Sequence, residues 1–256
     1  YNITSNIYSD YFSFALLQVP VITNDIQPIN NIIKNANAGI LCGNKTDWYN
    51  EIVNAINEKD LHLALVRPPG HHAGKRGIAF NAPSQGFCLF NNIAGAIVKA
   101  KDFFDRVIVI DFDVHHGNGT QEIFYERDDV LYQSFHLYPH YPGTGRINEV
   151  GKGRGEGYTI NAPLPYKCGE RCIEKIMEEI FIPVAEQFSP DIILISAGFD
   201  SHHADYLGGL NLTVNFYGKI ISAFRKIQKR IVCCLEGGYN LCLLYTSPSP
   251  RDLSTS

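Results

Sequence analysis

Residues 106–119 read RVIVIDFDVHHGNG, an apolar, β-branched run that breaks abruptly into acids, histidines and glycines. An unbroken apolar run of this length is the pattern of a strand buried on both faces, as in the middle of a parallel sheet. At an extended strand end, residues two apart point the same way, so Asp111, Asp113 and His115 share one face. Taken alone, the DxDxH pattern also fits an acidic strand end whose histidine caps a loop.

Further short apolar runs lie on either side: LHLALV (61–66), VLYQSF (130–135), DIILISA (191–197) and RIVCCLE (230–236). Helical patterns separate them at about 89–102, 170–188 and 213–229. Another stands at 47–57, where Trp48, Ile52, Val53 and Ile56 recur at helical spacing behind Thr46 as a cap. Alternating strands and helices predict a doubly wound α/β fold. Ligands of such sheets collect beyond the carboxyl ends of the strands. The unusual residues stand there, in RPPGHHA (67–73), DVHHGNG (113–119), HLYPHYPGTG (136–145), GFDSHHAD (198–205) and GGYN (237–240).

The chain has 256 residues, 45% hydrophobic and 19% charged, enough for a sizeable core and too little charge for a disordered chain. With 22 Lys+Arg against 26 Asp+Glu and no basic block, direct nucleic-acid binding is not expected. No apolar run approaches the ~20 residues of a membrane span, and no signal peptide is visible. Seven cysteines without paired CxxC knuckles read as reduced, mostly buried thiols. Together these features predict an intracellular protein of the cytoplasm or nucleus. Six of the nine histidines form adjacent pairs, His71/His72, His115/His116 and His202/His203. The first 45 or so residues show no sharp period. The stretch after Asn240, LCLLYTSPSPRDLSTS, has none either. Residues 242–256 are expected to be a disordered, non-native tail, and 1–241 one catalytic domain incomplete at both ends.

A second acidic strand end, DIILISAGFD, delivers Asp200 to the same edge of the sheet. Asp113, His115 and Asp200 then form an Asp₂His set with one open position, suited to a divalent ion such as Zn²⁺. His71 and His72 follow a turn stiffened by Pro68 and Pro69, as two imidazoles able to take and return a proton near neutral pH. The glycines before Tyr239 let its phenol swing toward the same pocket, where it can donate to a developing oxyanion.

RPPGHHA, GFCLFNN (86–92), IDFDVHHGNGTQ (110–121), YPGTG (141–145), SAGFDSH (196–202) and LEGGYN (235–240), in that order, resemble the histone deacetylase family of metal-dependent amidohydrolases, nearer its class II and bacterial-type members. The resemblance covers residues 61–240 and implies a three-layer α/β/α fold with a mainly parallel central sheet, of the arginase/deacetylase kind. It implies Zn²⁺ on Asp113, His115 and Asp200, and catalytic imidazoles at His71 and His72, with Asp111 on His71 and Asn118 on His72. Tyr239 becomes the carbonyl-polarising phenol. Phe87 and Tyr141 would face each other across a substrate tunnel with Leu207 at its rim, although Phe87 by itself also fits a core position. A potassium ion would use Asp111, Asp113, Ser134 and the carbonyls of His115 and Phe135. His116, His136, His202 and His203 fall at no ligand position.

The implied reaction removes acetyl groups from N-acetyl-lysine side chains of proteins, with a part in chromatin regulation. Small acetylated amines such as acetylpolyamines are the alternative substrate. A two-manganese ureohydrolase and a non-catalytic scaffold are rival readings, and the oligomeric state is not legible.

Overall fold

In the computed structural model, which describes residues 21–24, 39–42 and 61–240 apart from 65 and 67, all five apolar runs contain a strand. These are β3 (Leu61–Ala64), β6 (Val107–Asp111), β7 (Val130–Leu137), β9 (Ile192–Ala197) and β10 (Ile231–Leu235). Three more join them: β1 (Val21–Asn24), β2 (Gly39–Cys42) and β8 (Thr159–Leu164). The sheet runs in the order β2-β1-β3-β10-β9-β6-β7-β8, every pairing parallel. Two short strands, β4 (Ala73–Gly74) and β5 (Gly77–Ile78), form a separate antiparallel hairpin.

The two-residue period of each strand sorts its side chains between two cores. Ile108, Ile110, Ile193, Ile195, Cys233 and Leu235 face one way, against α3 (Glu170–Ile176), α4 (Ile182–Phe188) and α5 (Val214–Arg225) through Ile173, Ala185, Phe216, Ile220 and Phe224. Val107, Val109, Ile192, Leu194, Val232 and Cys234 face the other way, onto α1 (Asn92–Ala100) and onto Phe124 of α2 (Asn118–Phe124). Both faces of the central strands are therefore dry, which is why their sequences do not alternate. The result is the three-layer α/β/α architecture with a parallel sheet.

Three helices depart in detail from the sequence pattern. The first begins at Asn92 because the Asn91 side chain caps it, accepting from the Ala94 N–H at 2.9 Å. The pattern over 170–188 is one helical rod interrupted by a π turn at Met177–Phe181. Pro183 lacks the N–H that an α-helix would use at that point, and the widened turn sits just ahead of it. The last ends at Arg225, short of the expected 229. The helix expected at 47–57 and the tail at 242–256 lie outside the described residues.

Cys88, Cys168, Cys172, Cys233 and Cys234 are free, and all but Cys172 are buried. No helix among the described residues is long and apolar enough to cross a membrane.

Phe224 has no solvent exposure in the layer beneath α5. Truncation to alanine is expected to cost about 3–5 kcal/mol in urea unfolding. A loss below about 1 kcal/mol would mean that this helix does not seal the sheet.

Candidate metal and catalytic site

The ends of β6 and β9 converge on one cluster. Two residues past β6, Asp113 leaves the ladder, and His115 follows; Asp200 comes three residues past β9. Their ligand atoms all lie within 4.8 Å of one another. The loop backbone aims both carboxylates: Asp113 Oδ1 accepts the His115 N–H at 2.9 Å, Asp113 Oδ2 the Gly237 N–H at 2.7 Å, and Asp200 Oδ1 the Val114 N–H at 2.9 Å. Asp200 Oδ2 is buried 3.0 Å from His115 Nδ1 yet makes no hydrogen bond. A buried carboxylate oxygen without a hydrogen bond, beside the His115 nitrogen and the Asp113 carboxylate, fits a cation. A side chain at Gly198 or Gly237 would overlap these carboxylates, so only glycine lets the neighbouring loops come this close.

Charge crowding shapes the titration of the cluster. Burial, followed by repulsion from Asp113, pushes Asp200 up to about 6. Burial disfavours the charged form of His115, but Asp200 and Asp113 outweigh it and raise the imidazole to about 10. Asp113 is also penalised by burial, yet His71 and His115 hold it well below the usual carboxylate range.

The tandem imidazoles stand beside this cluster with ring centres 4.1 Å apart. His71 Nδ1 lies 3.1 Å from Asp111 Oδ2, which also accepts from the Tyr132 hydroxyl at 3.0 Å. His72 Nδ1 lies 2.7 Å from Asn118 Oδ1. Because Asn118 Nδ2 donates to the Ala79 carbonyl, Asn118 offers His72 an acceptor, so His72 carries its proton on Nδ1 and leaves Nε2 basic. Burial, then the charge on His71, lowers His72 well below the usual imidazole value. Burial also opposes charge on His71, but Asp113, Asp111 and Glu236 overcome it and raise its pKa. The two neighbouring imidazoles are thus shifted in opposite directions.

Glu236 was not singled out by sequence. Without solvent exposure, it accepts the Gly70 and His71 N–H groups at 2.7 and 3.1 Å and the Ser196 hydroxyl at 3.3 Å. Burial pushes it up to about 7 against the pull of His71. Its one sequence signal was a lone carboxylate closing an otherwise apolar strand, a group that needs partners wherever it is buried.

Above the cluster opens a cleft of about 500 Å³ lined by His72, His115, Phe87, Tyr141, Leu207 and Tyr239 among others. Phe87 is 75% exposed, which excludes a core position, and its ring lies 6.3 Å from that of Tyr239. Its φ of 67° lies in the left-handed region, a strain of about 1–3 kcal/mol for a side chain of this size. Tyr141 packs edge-on to His72 at 5.0 Å and donates its hydroxyl to the Ser84 carbonyl at 2.8 Å. His140, also missed by sequence, stacks on His115 at 5.1 Å.

The residues expected to hold potassium lie together, Ser134 pairing with Asp111 across β6 and β7. Their side-chain oxygens already have protein partners: Ser134 Oγ lies 2.9 Å from His136 Nδ1, and Asp111 takes His71, Tyr132 and the Asp113 N–H. The orphaned oxygen that marks the first cluster is missing from this one. His116 and His136 belong to a buried network behind the cleft, His116 between Thr144 and Gln121, and His136 donating to the Gly145 carbonyl at 2.8 Å. They brace the turn that follows Tyr141.

Residues 29–247 match the family model of the histone deacetylase domain. An uncharacterised protein of Methanocaldococcus jannaschii is 46% identical over 201 residues, covering 77% of this chain and 57% of the relative. Chloroplastic histone deacetylase 14 of Arabidopsis thaliana is 45% identical over 194 residues, covering 73% and 44%. The crystal structure of acetylpolyamine aminohydrolase from Burkholderia pseudomallei superposes with a TM-score of 0.68 at 34% identity, over 75% of this chain and 55% of that one. The chain spans about half the length of the curated relatives it matches.

Two outcomes are expected from this geometry. Gly198→Ala should displace the Asp113 carboxylate and weaken Zn²⁺ binding about 10–100-fold in a chelator-competition titration; unchanged affinity would remove Asp113 from the ligand set. Burial holds His136 down at about 4 against an ordinary 6.5, so between those values the unfolded chain takes up a proton that the folded chain refuses. Its contribution to stability is complete above pH 6.5 and lost as the pH falls toward 4. The melting temperature should drop across that window, and drop less in His136→Gln; equal slopes would contradict the assignment.

Proposed function

The chain belongs to the histone deacetylase family, and from that premise we propose that it hydrolyses the acetyl amide of N-acetyl-lysine side chains in proteins, releasing acetate and the free amine. The reading is carried by one observation: two tandem imidazoles, one against a carboxylate and one against an amide, lie 4.1 Å apart beside a buried Asp₂His cluster, at the floor of a cleft that holds a phenol.

Asp113, His115 and Asp200 would hold Zn²⁺, which supplies Lewis acidity toward a water and an acetamide carbonyl. His72, neutral and basic at Nε2, takes a proton from the attacking water. As the carbonyl oxygen gains charge, the Tyr239 hydroxyl donates to it. The C–N bond then breaks, and the leaving nitrogen takes a proton from the imidazole pair, giving one acetate and one amine for each water consumed. Asp113 and Asp111 favour the charged form of the His71 ring, while the neutral Asn118 leaves His72 free to cycle its proton. Phe87 and Tyr141 would hold the lysine stem by apolar contact, with Leu207 at the rim.

An acetylated small amine is the second reading, favoured by the likeness to an acetylpolyamine aminohydrolase. The ureohydrolase reading needs a second metal set, and the described residues contain one set of ligand spacing. The scaffold reading is disfavoured because every residue of the mechanism is present.

Wild-type chain supplied with Zn²⁺ is expected to deacetylate an acetyl-lysine peptide with higher kcat/KM than N-acetylputrescine; the reverse order would transfer the proposal to small amines. Tyr239→Phe should lower kcat about 10²–10³-fold, and His72→Ala by at least about 10²-fold. Retained turnover in His72→Ala with loss in His71→Ala would reverse the roles of the two imidazoles.

A further inference from the structure

The GGYN turn lies beyond the end of β10 at Leu235, yet Tyr239 must deliver its phenol to one point in the cleft. The turn's first half is tied to the sheet edge: the Glu236 N–H donates to the Ala197 carbonyl at 3.0 Å, the Gly237 carbonyl accepts the Phe199 N–H at 2.9 Å, and the Gly237 N–H goes to Asp113. Gly238, at φ 137°, then redirects the chain. The next two amides converge on one oxygen. Asp205 Oδ2 accepts the Tyr239 N–H at 2.7 Å and the Asn240 N–H at 3.0 Å. Its other oxygen, Oδ1, accepts the Leu207 N–H at 2.9 Å. The Asn240 side-chain amide closes the zipper by donating to the Ala204 carbonyl.

We propose that Asp205 is a positioning residue for Tyr239: one carboxylate ties the backbone of the phenol-bearing turn to the Leu207 loop and so sets where the hydroxyl meets the substrate carbonyl. Asp205 is buried, with 8% of its surface exposed, and its carboxylate touches neither the Asp₂His cluster nor the imidazoles in any recorded hydrogen bond. Charge-assisted bonds to backbone N–H groups are the strong, directional kind. Three of them on one side chain bind two walls of the cleft, Leu207 and Tyr239, into one unit. This inference rests on Tyr239 acting on the carbonyl, as proposed above, but the contact itself is testable without turnover.

The test uses Asp205→Asn, which keeps the shape and halves the acceptors, with Asp205→Ala beside it. Amide hydrogen exchange in the full chain reads the clamp directly: exchange at Tyr239 and Asn240 should rise at least about tenfold in Asp205→Ala, with β10 unchanged. In Asp205→Asn, exchange should rise either at Leu207 or at Tyr239 and Asn240, whichever faces the amide nitrogen. Under Zn²⁺, kcat on an acetyl-lysine peptide should fall about 10–100-fold in the variants, with metal content and KM nearly unchanged. In a Tyr239→Phe background the same substitution should cost less than about twofold, because the group it positions is gone. Unchanged exchange at 239 and 240 in Asp205→Ala, or at 207, 239 and 240 together in Asp205→Asn, overturns the proposal, as does an equal loss of kcat in both backgrounds. If the wild type turns over neither acetylated amine, the deacetylase reading falls, while the exchange result still decides the clamp. Should Asp205→Ala fail to fold, the asparagine variant carries every arm.

Discussion

Four carboxylates, Asp111, Asp113, Asp200 and Glu236, lie without solvent exposure at one edge of a parallel sheet. Burying one unpaired charge is costly, and four together would repel one another as well. The chain answers locally and at long range. Backbone N–H groups of the adjoining loops point at the oxygens, two imidazoles lie against them, and glycines at 198 and 237 let the loops approach. One oxygen, Asp200 Oδ2, is left over, and a cation held there would complete the balance. The fold and the chemistry therefore depend on the same condition, negative charge gathered where strands end.

The different states of His71 and His72 follow from that field. Both rings are buried, which disfavours charge on each. His71 faces Asp111, with Asp113 and Glu236 nearby, whereas the partner of His72 is the neutral Asn118. Two adjacent and chemically identical side chains are shifted in opposite directions because one is aimed at a carboxylate and the other at an amide. The adjacent glycine-rich segment fits this arrangement: a side chain at Gly117 would overlap Asp111, so the loop between β6 and α2 can cross directly over the carboxylate.

The cleft is built on a different principle from the floor beneath it. Its floor is set by sheet register and buried charge, while its walls are loops tied by side-chain bonds across long stretches of sequence. Tyr141 is held to Ser84, Tyr239 to Asp205, and the turn after Tyr141 to Glu149 and His136. Phe87 stands out into solvent on a strained backbone. Walls of this kind can change residue by residue without disturbing the Asp₂His cluster beneath them.

By itself the sequence determined the central strands, because burial on both faces leaves a local, unbroken apolar pattern, and it determined the Asp113, His115 and Asp200 set, because strand ends keep their spacing. It did not disclose β8, whose Pro163 and half-buried pattern are tolerated only because the strand lies at the sheet edge. Nor did it disclose the π turn ahead of Pro183, Glu236 beneath the His71 loop, His140 on His115, or Asp205 under the Tyr239 turn. Apart from the π turn, each of those depends on what a residue meets from a distant part of the chain. Periodicity reports burial one element at a time, whereas the partner of a buried polar group is chosen only when the sheet brings its strand ends together.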